Sequence, residues 1–205
     1  FNDVVVGPSQ EDYGNLKFML ETKGAHSSLE DRQHFATRAF RVSSHYDKHI
    51  YDYFNREGAD LSLKISLHSG MPLRSGENPH QEAIFFGELE TNFYKRNGKE
   101  LSYNNLVDVD SAVSLMAEFK NSEPTFAILK HTNACGVATR PTVLQAWKDA
   151  LAADPVSAFG GVLICNKQID EATAREIDEL FYEVLIAPSF SDEALAVLSA
   201  KKNRI

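Results

Sequence analysis

The sequence contains little cysteine and no long hydrophobic run. Two cysteines among 205 residues exclude a disulfide scaffold and fit a reducing compartment, so we expect a cytoplasmic protein. The longest apolar runs are about five or six residues, far short of the roughly 20 that a membrane-spanning helix needs. No basic segment followed by an apolar stretch opens the sequence, so no secretory signal is predicted. We therefore expect no membrane partner.

An excess of positive charge and the spacing of a metal site are also lacking. The formal net charge is −8, and without a basic stripe the sequence argues against nucleic acid as a partner. His131 and Cys135 are four residues apart, but they lack a third ligand or a Cys-x-x-Cys motif, so no metal site is predicted. The composition, 43% hydrophobic and 24% charged, is that of a globular protein with one good core or two smaller ones.

The first third of the sequence predicts a short strand, two helices and a polar exit. Residues 3–6 are a β-branched strand pattern, and apolar residues recur at helical spacing over 11–23 and again from about 28 to 55. Ser27, with Glu30 three residues later, has the form of a capping box. The longer helix carries His34, His45 and His49, to which the sequence gives no convincing set of metal ligands. Residues 58–69 read as a strand or a linker.

The remaining two thirds alternate strands and helices. The predicted loops, strands and helices, in order, are loop 71–81, strand 83–86, loop 101–106, a helix capped by Asp110, strand 126–129, helix 142–153, strand 162–165, helix 171–182, strand 184–187 and helix 192–200. Alternation of this kind indicates an α/β fold with a mainly parallel sheet. We place a domain boundary near residue 70.

The central stretch, residues 125–140, joins an apolar strand to ionisable groups. Lys130 and His131 follow the strand, and Asn133, Cys135 and Gly136 are typical of a tight turn. Ligands bind at strand ends in open α/β sheets, and a neighbouring ammonium favours the neutral imidazole that a general base requires. The alternative, that Lys130 points into solvent and His131 is a structural histidine, stays open.

Two further segments have residues suited to ligand contacts. Arg74, beside Ser75 and Gly76, would make a phosphate contact through its guanidinium fork, a hydroxyl and a bare backbone. Phe159 precedes Gly160 and Gly161, so its ring could stack on a planar base above a backbone cradle. Each segment has a structural alternative, a polar connecting loop in the first case and a tight turn before a strand in the second.

Several ordered motifs together resemble one family closely. They are LRSGENPHQ (73–81), LSYNN (101–105), KHTNACGVA (130–138), DPVSAFGG (154–161), RAF with YD (38–40, 46–47), EVLIAP (183–188) and KKNR (201–204). The sequence is similar over nearly its whole length to the bifunctional purine-biosynthesis family that joins an IMP cyclohydrolase to an aminoimidazole-carboxamide ribonucleotide (AICAR) formyltransferase.

The resemblance implies a division of the fold and an activity. Residues 1–70 resemble the end of the cyclohydrolase domain, a methylglyoxal-synthase-like fold, and 71–205 the first part of the formyltransferase domain, a cytidine-deaminase-like α/β fold. Family members transfer a formyl group from 10-formyltetrahydrofolate to the AICAR amine and close the product to IMP. They work as cytoplasmic homodimers with shared active sites. Because the sequence opens on Phe1, we expect a piece of a longer enzyme, alone incomplete.

The resemblance also implies roles for individual residues. His131 is similar to the catalytic base, and Lys130 is the expected partner that stabilises developing charge. The substrate-binding residues implied are Arg74, Ser75, Asn104, Ser157, Phe159, Gly160 and Glu183. The family usually has tyrosine where Ser75 stands, which weakens or changes one phosphate contact. It usually has proline where Ala134 stands, which changes the stiffness of the turn.

Two other functions compete with this interpretation. A non-catalytic nucleotide-binding or dimerisation fragment is compatible with an incomplete sequence and would bind substrate without turnover. A zinc-dependent nucleoside deaminase is disfavoured, because it needs a Pro-Cys-x-x-Cys motif beside its His-x-Glu, and the sequence has no Pro-Cys-x-x-Cys.

Overall fold

The computed structural model describes residues 1–67 and 69–205. The chain divides into two compact units, Phe1–His68 and Ser69–Ile205. Within the described ranges, no helix is long and apolar enough to cross a membrane. The segment that was expected to be a strand or linker includes His68, which lies outside the described residues, and 58–67 contain no strand.

The first unit consists mainly of two helices, α1 (Tyr13–Thr22) and α2 (Leu29–Phe54). The cap of α2 is Ser28 rather than Ser27: Ser28 Oγ accepts from the Asp31 amide at 3.1 Å, and Asp31 accepts from the Ser28 amide at 2.8 Å. Asp31 also accepts from Lys23 at 2.7 Å, and this bond together with those from Ser28 lowers the pKa of Asp31 to about 2. Because the cap is Ser28, the third residue after it is Asp31 and not Glu30, so Asp31 completes the box.

Few side chains are buried in this first unit. The buried ones are Met19, Phe35 and Asp12, which forms an ion pair with Arg38. Residues 3–6, predicted as a strand, are irregular, because a β-strand needs a hydrogen-bonded partner and none pairs with them among the described residues. The prediction of a strand there is wrong.

The second unit holds the larger core and a four-stranded sheet. Its helices and strands are β1 (Gly70–Pro72), β2 (Ile84–Phe86), α3 (Tyr103–Ala117), β3 (Thr125–Lys130), β4 (Asn133–Thr139), α4 (Val143–Ala153), α5 (Pro155–Ala158), β5 (Gly161–Cys165), α6 (Glu171–Asp178), β6 (Tyr182–Ile186) and α7 (Asp192–Leu198). The α/β class is confirmed. The sheet order is β4-β3-β5-β6, and β1 pairs separately with β2.

The sheet is mixed, so the prediction of a mainly parallel sheet is wrong. β3 runs antiparallel to both β4 and β5, and only β5 and β6 are parallel. The error comes from residues 133–136, which were predicted as a turn but begin β4. A two-residue turn at His131 and Thr132 folds β4 back along β3, because Lys130 pairs with Asn133.

Strand β3 is the centre of the core, with one helix layer on each face. Alternate side chains of a strand point to opposite faces. Phe126 therefore packs toward α4, its ring centroid 5.1 Å from that of Trp147. Leu129 packs on the opposite face with Val109 and Met116 of α3. Burial on both faces fixes the end of β3 relative to α3.

Helix α3 begins eight residues earlier than predicted. Its cap is Ser102, whose Oγ accepts from the Asn105 amide at 3.2 Å, while Asn105 Oδ1 accepts from the Ser102 amide at 3.1 Å. The predicted cap Asp110 thus lies inside the helix. The predicted loop 101–106 contains the first turn of α3, which places Asn104 on a helix surface.

Candidate functional site

Two groups of predicted site residues meet at one edge of the sheet, where β3 ends and where β5 and β6 begin. Leu129 of β3 pairs with Val162 of β5, and Gly161 pairs with Tyr182 of β6. The end of β3 therefore lies beside the beginnings of β5 and β6. Lys130 at the end of β3 is therefore brought to the same edge as the residues just outside these strands, which are His131, Phe159, Gly160 and Phe181.

The turn that carries His131 has a strained backbone. His131 and Thr132 have φ of 50° and 65°, as in the two-residue hairpin turn that normally takes Asn-Gly. A β-branched residue such as threonine is an outlier in this region, and each left-handed residue costs about 1–2 kcal/mol. Strain of this kind concentrates at functional sites.

Side-chain contacts hold the strained turn in place. Asp108 of α3 accepts a hydrogen bond from the Thr132 amide at 2.8 Å. The His131 carbonyl accepts from Thr132 Oγ1 at 2.6 Å and from Asn133 Nδ2 at 2.9 Å. The His131 side chain itself is exposed, so the turn presents the imidazole to solvent from a fixed backbone.

Lys130 links this turn to the glycine segment. Its Nζ donates to the Phe159 carbonyl at 2.8 Å. Gly160, at φ 75°, donates its amide to the Phe181 carbonyl at 2.8 Å, and the rings of Phe159 and Phe181 lie 5.3 Å apart. The Phe159 ring is more than half exposed. An aromatic face, a glycine backbone and an ammonium group thus lie together.

Ser157 and Asp154 form the helix start beside Lys130. Asp154 accepts from the Ser157 amide at 3.0 Å and caps α5. Hydrogen bonds from Ser157 lower the pKa of Asp154, and the charge of Lys130 acts in the same direction. The pKa of Cys135 is raised, first by partial burial and then by the Asp154 carboxylate, while Lys130 opposes the shift. The negative charge of Asp154 therefore acts on the Lys130 ammonium group.

The loop that contains Arg74 and Ser75 is fixed on the beginning of α3. The Arg74 amide donates to the Leu101 carbonyl, and the Tyr103 amide donates to the Ser75 carbonyl, each at 2.9 Å. Asn104 Nδ2 donates to the Glu77 carbonyl at 3.0 Å. The structure thus brings Arg74, Ser75 and Asn104 together.

Helix α3 connects this loop to the histidine turn. Asn104 and Asp108 are four residues apart, so they share a helix face about 6 Å apart along the axis. Asn104 contacts the Arg74 loop and Asp108 contacts the His131 turn. One face of one helix therefore positions both groups of predicted site residues.

Glu183 is the predicted site residue that stands apart. Its carboxylate forms an ion pair with Lys99 at 2.7 Å, and its carbonyl accepts from the Ile205 amide at 3.0 Å. Within the described part of the chain it forms no hydrogen bond or ion pair with Lys130 or His131. A cavity of about 930 Å³ beside α3 and β6 is lined by none of the predicted site residues. The cavity is therefore separate from the predicted site, where the exposed His131 and Phe159 leave an open edge.

Sequence reasoning missed Asp108 and Phe181. Asp108 is recognisable only once α3 is known to begin at Tyr103, because it then falls one turn after Asn104. Phe181 was placed inside a helix that in fact ends at Asp178. Its ring lies against Phe159, a contact for which the sequence has no signal.

Comparison with known proteins gives one family. The family model described as "AICARFT/IMPCHase bienzyme" matches residues 1–205. A protein of Bacteroides thetaiotaomicron called "Bifunctional purine biosynthesis protein PurH" is 54% identical over 205 residues, which is 100% of this chain and 40% of that protein. Proteins of the same name from Caldicellulosiruptor saccharolyticus and Enterococcus faecalis are 39% and 38% identical, over 98% and 99% of this chain and 40% and 41% of their own lengths. The chain thus spans about 40% of the length of these relatives.

Proposed function

The chain belongs to the AICARFT/IMPCHase bienzyme family, and we propose that it is part of a bifunctional enzyme of de novo purine biosynthesis. The longer enzyme transfers a formyl group from 10-formyltetrahydrofolate to the amine of AICAR and then closes the ring to give IMP. Relatives named as bifunctional purine biosynthesis proteins support this proposal. The family resemblance of the motifs in the second unit supports assigning the transfer step to that unit.

The strained turn at His131 and Thr132, directly after Lys130, is the observation that carries the proposal. The AICAR amine is a weak nucleophile, so a base must take its proton as the nitrogen attacks the formyl carbon. His131, exposed on a fixed turn, accepts that proton at a ring nitrogen. Lys130 stabilises the negative charge that develops on the formyl oxygen or on the leaving folate nitrogen. General base catalysis typically contributes 10²–10⁴-fold, and preorganised charge contributes a further term.

The residues around the turn suit the rest of the nucleotide. Arg74 and Ser75 bind the phosphate, since arginine presents paired donors to phosphate oxygens. Phe159 and Gly160 flank the carboxamide-bearing ring. Asn104, Ser157 and Glu183 make further polar contacts, and Glu183 becomes available when its ion pair with Lys99 opens.

The division of the chain and its assembly follow from the same proposal. Residues 1–70 form the end of the cyclohydrolase domain, with a methylglyoxal-synthase-like fold, and 71–205 form the first part of the cytidine-deaminase-like formyltransferase domain. The open edge of the site suits a cytoplasmic homodimer in which a second copy completes the substrate pocket. The folate contacts then come largely from parts of the longer enzyme.

A binding measurement separates the enzyme from the non-catalytic alternative. We expect AICAR to bind the 205-residue chain in calorimetric titration, with at least tenfold weaker binding in R74A and no change in R41A, a control on the first unit. Formyl transfer is then assayed in the longer protein with wild-type Lys130 and with K130M. Loss of formyl transfer in K130M would support Lys130 as a catalytic residue. AICAR binding with no transfer by the wild-type longer protein would leave a nucleotide-binding module, and AICAR binding unaffected by R74A would contradict the phosphate role.

A further inference from the structure

Two histidines on α2 face each other, remote in sequence from the site described above. His45 and His49 are four residues apart, so they share one face of the helix. Their Nε2 atoms lie 3.0 Å apart and their ring centroids 4.4 Å apart. The sequence alone assigned them no metal-ligand set. The structure is what brings the two nitrogens together.

The distance between these nitrogens matches that of adjacent ligands on one metal ion. With metal–nitrogen bonds of about 2.0–2.1 Å, two ligands at 90° are about 2.9 Å apart, and two ligands at the tetrahedral angle are about 3.4 Å apart. The observed 3.0 Å is closer to the first value. Angles near 90° are typical of square-planar and tetragonal Cu²⁺ and Ni²⁺ sites. Histidines at i and i+4 on a helix also form the ligand pair of a well-known zinc motif.

We propose that His45 and His49 form a two-histidine binding site for a divalent transition metal of tetragonal preference, Cu²⁺ or Ni²⁺. His45 Nδ1 lies 3.0 Å from Ser66 Oγ. With the proton on Nδ1 donated to that hydroxyl, Nε2 carries the lone pair that binds the ion. His49 is exposed and takes its proton on Nδ1 when its Nε2 binds. The Nε2–Nε2 hydrogen bond is then replaced by two metal–nitrogen bonds with no net change in protons.

The surroundings of the pair are compatible with a cation. Lys48, the basic residue between the histidines in the sequence, forms an ion pair with Asp52 at 2.6 Å. This pair offsets the ammonium charge. Over the described residues there is no group of three His, Cys, Asp or Glu side chains that could hold a metal. The proposed site therefore takes two protein ligands from the part of the chain that the structure describes.

Titration of NiCl₂ into the 205-residue chain tests this site by calorimetry. We expect one Ni²⁺ ion per chain in the wild type and in H34A, a matched control on the same helix. We expect a loss of affinity of more than about 100-fold in H49A and of about tenfold in S66A, because outer hydrogen bonds typically change metal affinity 10–100-fold. Circular dichroism of each variant checks that α2 is folded, and H49Q replaces H49A if it is not.

Two further readouts make the result decisive. Bound Ni²⁺ stabilises the folded state by mass action, so the melting temperature rises with Ni²⁺ in the wild type and not in H49A. Cu²⁺ bound at the site shows coupling to two nitrogens in its electron paramagnetic resonance spectrum. Equal Ni²⁺ affinity in wild type and H49A, or an equal loss in H34A and H49A, would overturn the proposal.

Discussion

Removing the Asp108 carboxylate should release the turn that carries His131. The Thr132 amide donates to Asp108 at 2.8 Å, and this bond fixes two residues that are left-handed without being glycine. Hydrogen bonds to charged groups contribute about 1.5–3 kcal/mol, and partial exposure at this surface reduces the figure to about 1–2 kcal/mol. D108A should therefore raise the open fraction of the turn about 5–30-fold.

Amide hydrogen exchange at Thr132 measures this opening directly. We expect exchange about 5–30-fold faster in D108A, with core amides of β3 unchanged. D108N retains an oxygen acceptor of the same shape and is the matched control, with a change of less than about threefold. In the longer enzyme, D108A should lower formyl transfer while D108N largely preserves it. Thr132 exchange at the wild-type rate in D108A would refute the role of Asp108 in positioning the turn.

Two further predictions concern stability. In G161A the new Cβ would lie 2.6 Å from the Leu129 carbonyl oxygen, so β3 and β5 must separate, and urea unfolding should show that the free energy of unfolding falls by about 1–3 kcal/mol. In G14A the new Cβ has nothing within 4 Å, so the free energy of unfolding should rise by about 0.5–1 kcal/mol. Equal changes in the two variants would contradict the close packing at Gly161. Burial raises the pKa of Cys165 and of Tyr182 to about 12, from 9.0 and 10.0. The stability that these neutral groups contribute is complete below about pH 9 and falls as pH rises toward about 12, by up to about 1.4 kcal/mol per pH unit for each group. An unfolding free energy that is the same at pH 8 and pH 11 would be inconsistent with this burial.

The parts of the fold that sequence predicted well are those with a strong apolar period. The long helix α2 and the helix α4 follow from stripes of apolar residues, and Trp147 of α4 is buried in the core. Strands β3 and β5 follow from short apolar runs buried on both faces. In α4, β3 and β5 local pattern and tertiary burial agree, which is the condition under which sequence reasoning works. Helix α2 forms as predicted although, among its described residues, Phe35 alone is buried.

The hairpin at the centre of the site could not be predicted from local sequence. A two-residue turn of this type is normally signalled by Asn-Gly, whereas this chain has His131 and Thr132. The strained conformation depends on Asp108, a helix residue more than 20 positions earlier, and no local rule reports such a contact. The same error made the sheet look parallel, because a missed hairpin leaves only crossover connections to consider.

Some contacts of the site residues were also predictable from the sequence, and others were not. Motifs predicted Lys130, Phe159 and Gly160 as site residues, and the structure links them through the 2.8 Å bond from Lys130 to the Phe159 carbonyl. The pairing of Glu183 with Lys99 was not predictable, since it joins a strand to a distant loop. Sequence motifs thus predict which residues belong to a site. The hydrogen-bond or ion-pair partner of each residue depends on tertiary structure.

The most direct test of the central proposal compares two activities in the longer enzyme carrying H131A. Formyl transfer to AICAR and closure of the formylated product are assayed separately. If His131 is the base for transfer, transfer falls by about 10²–10⁴-fold while ring closure stays at the wild-type rate. Near-normal transfer in H131A would contradict the assignment and return the Lys130–His131 turn to a structural role.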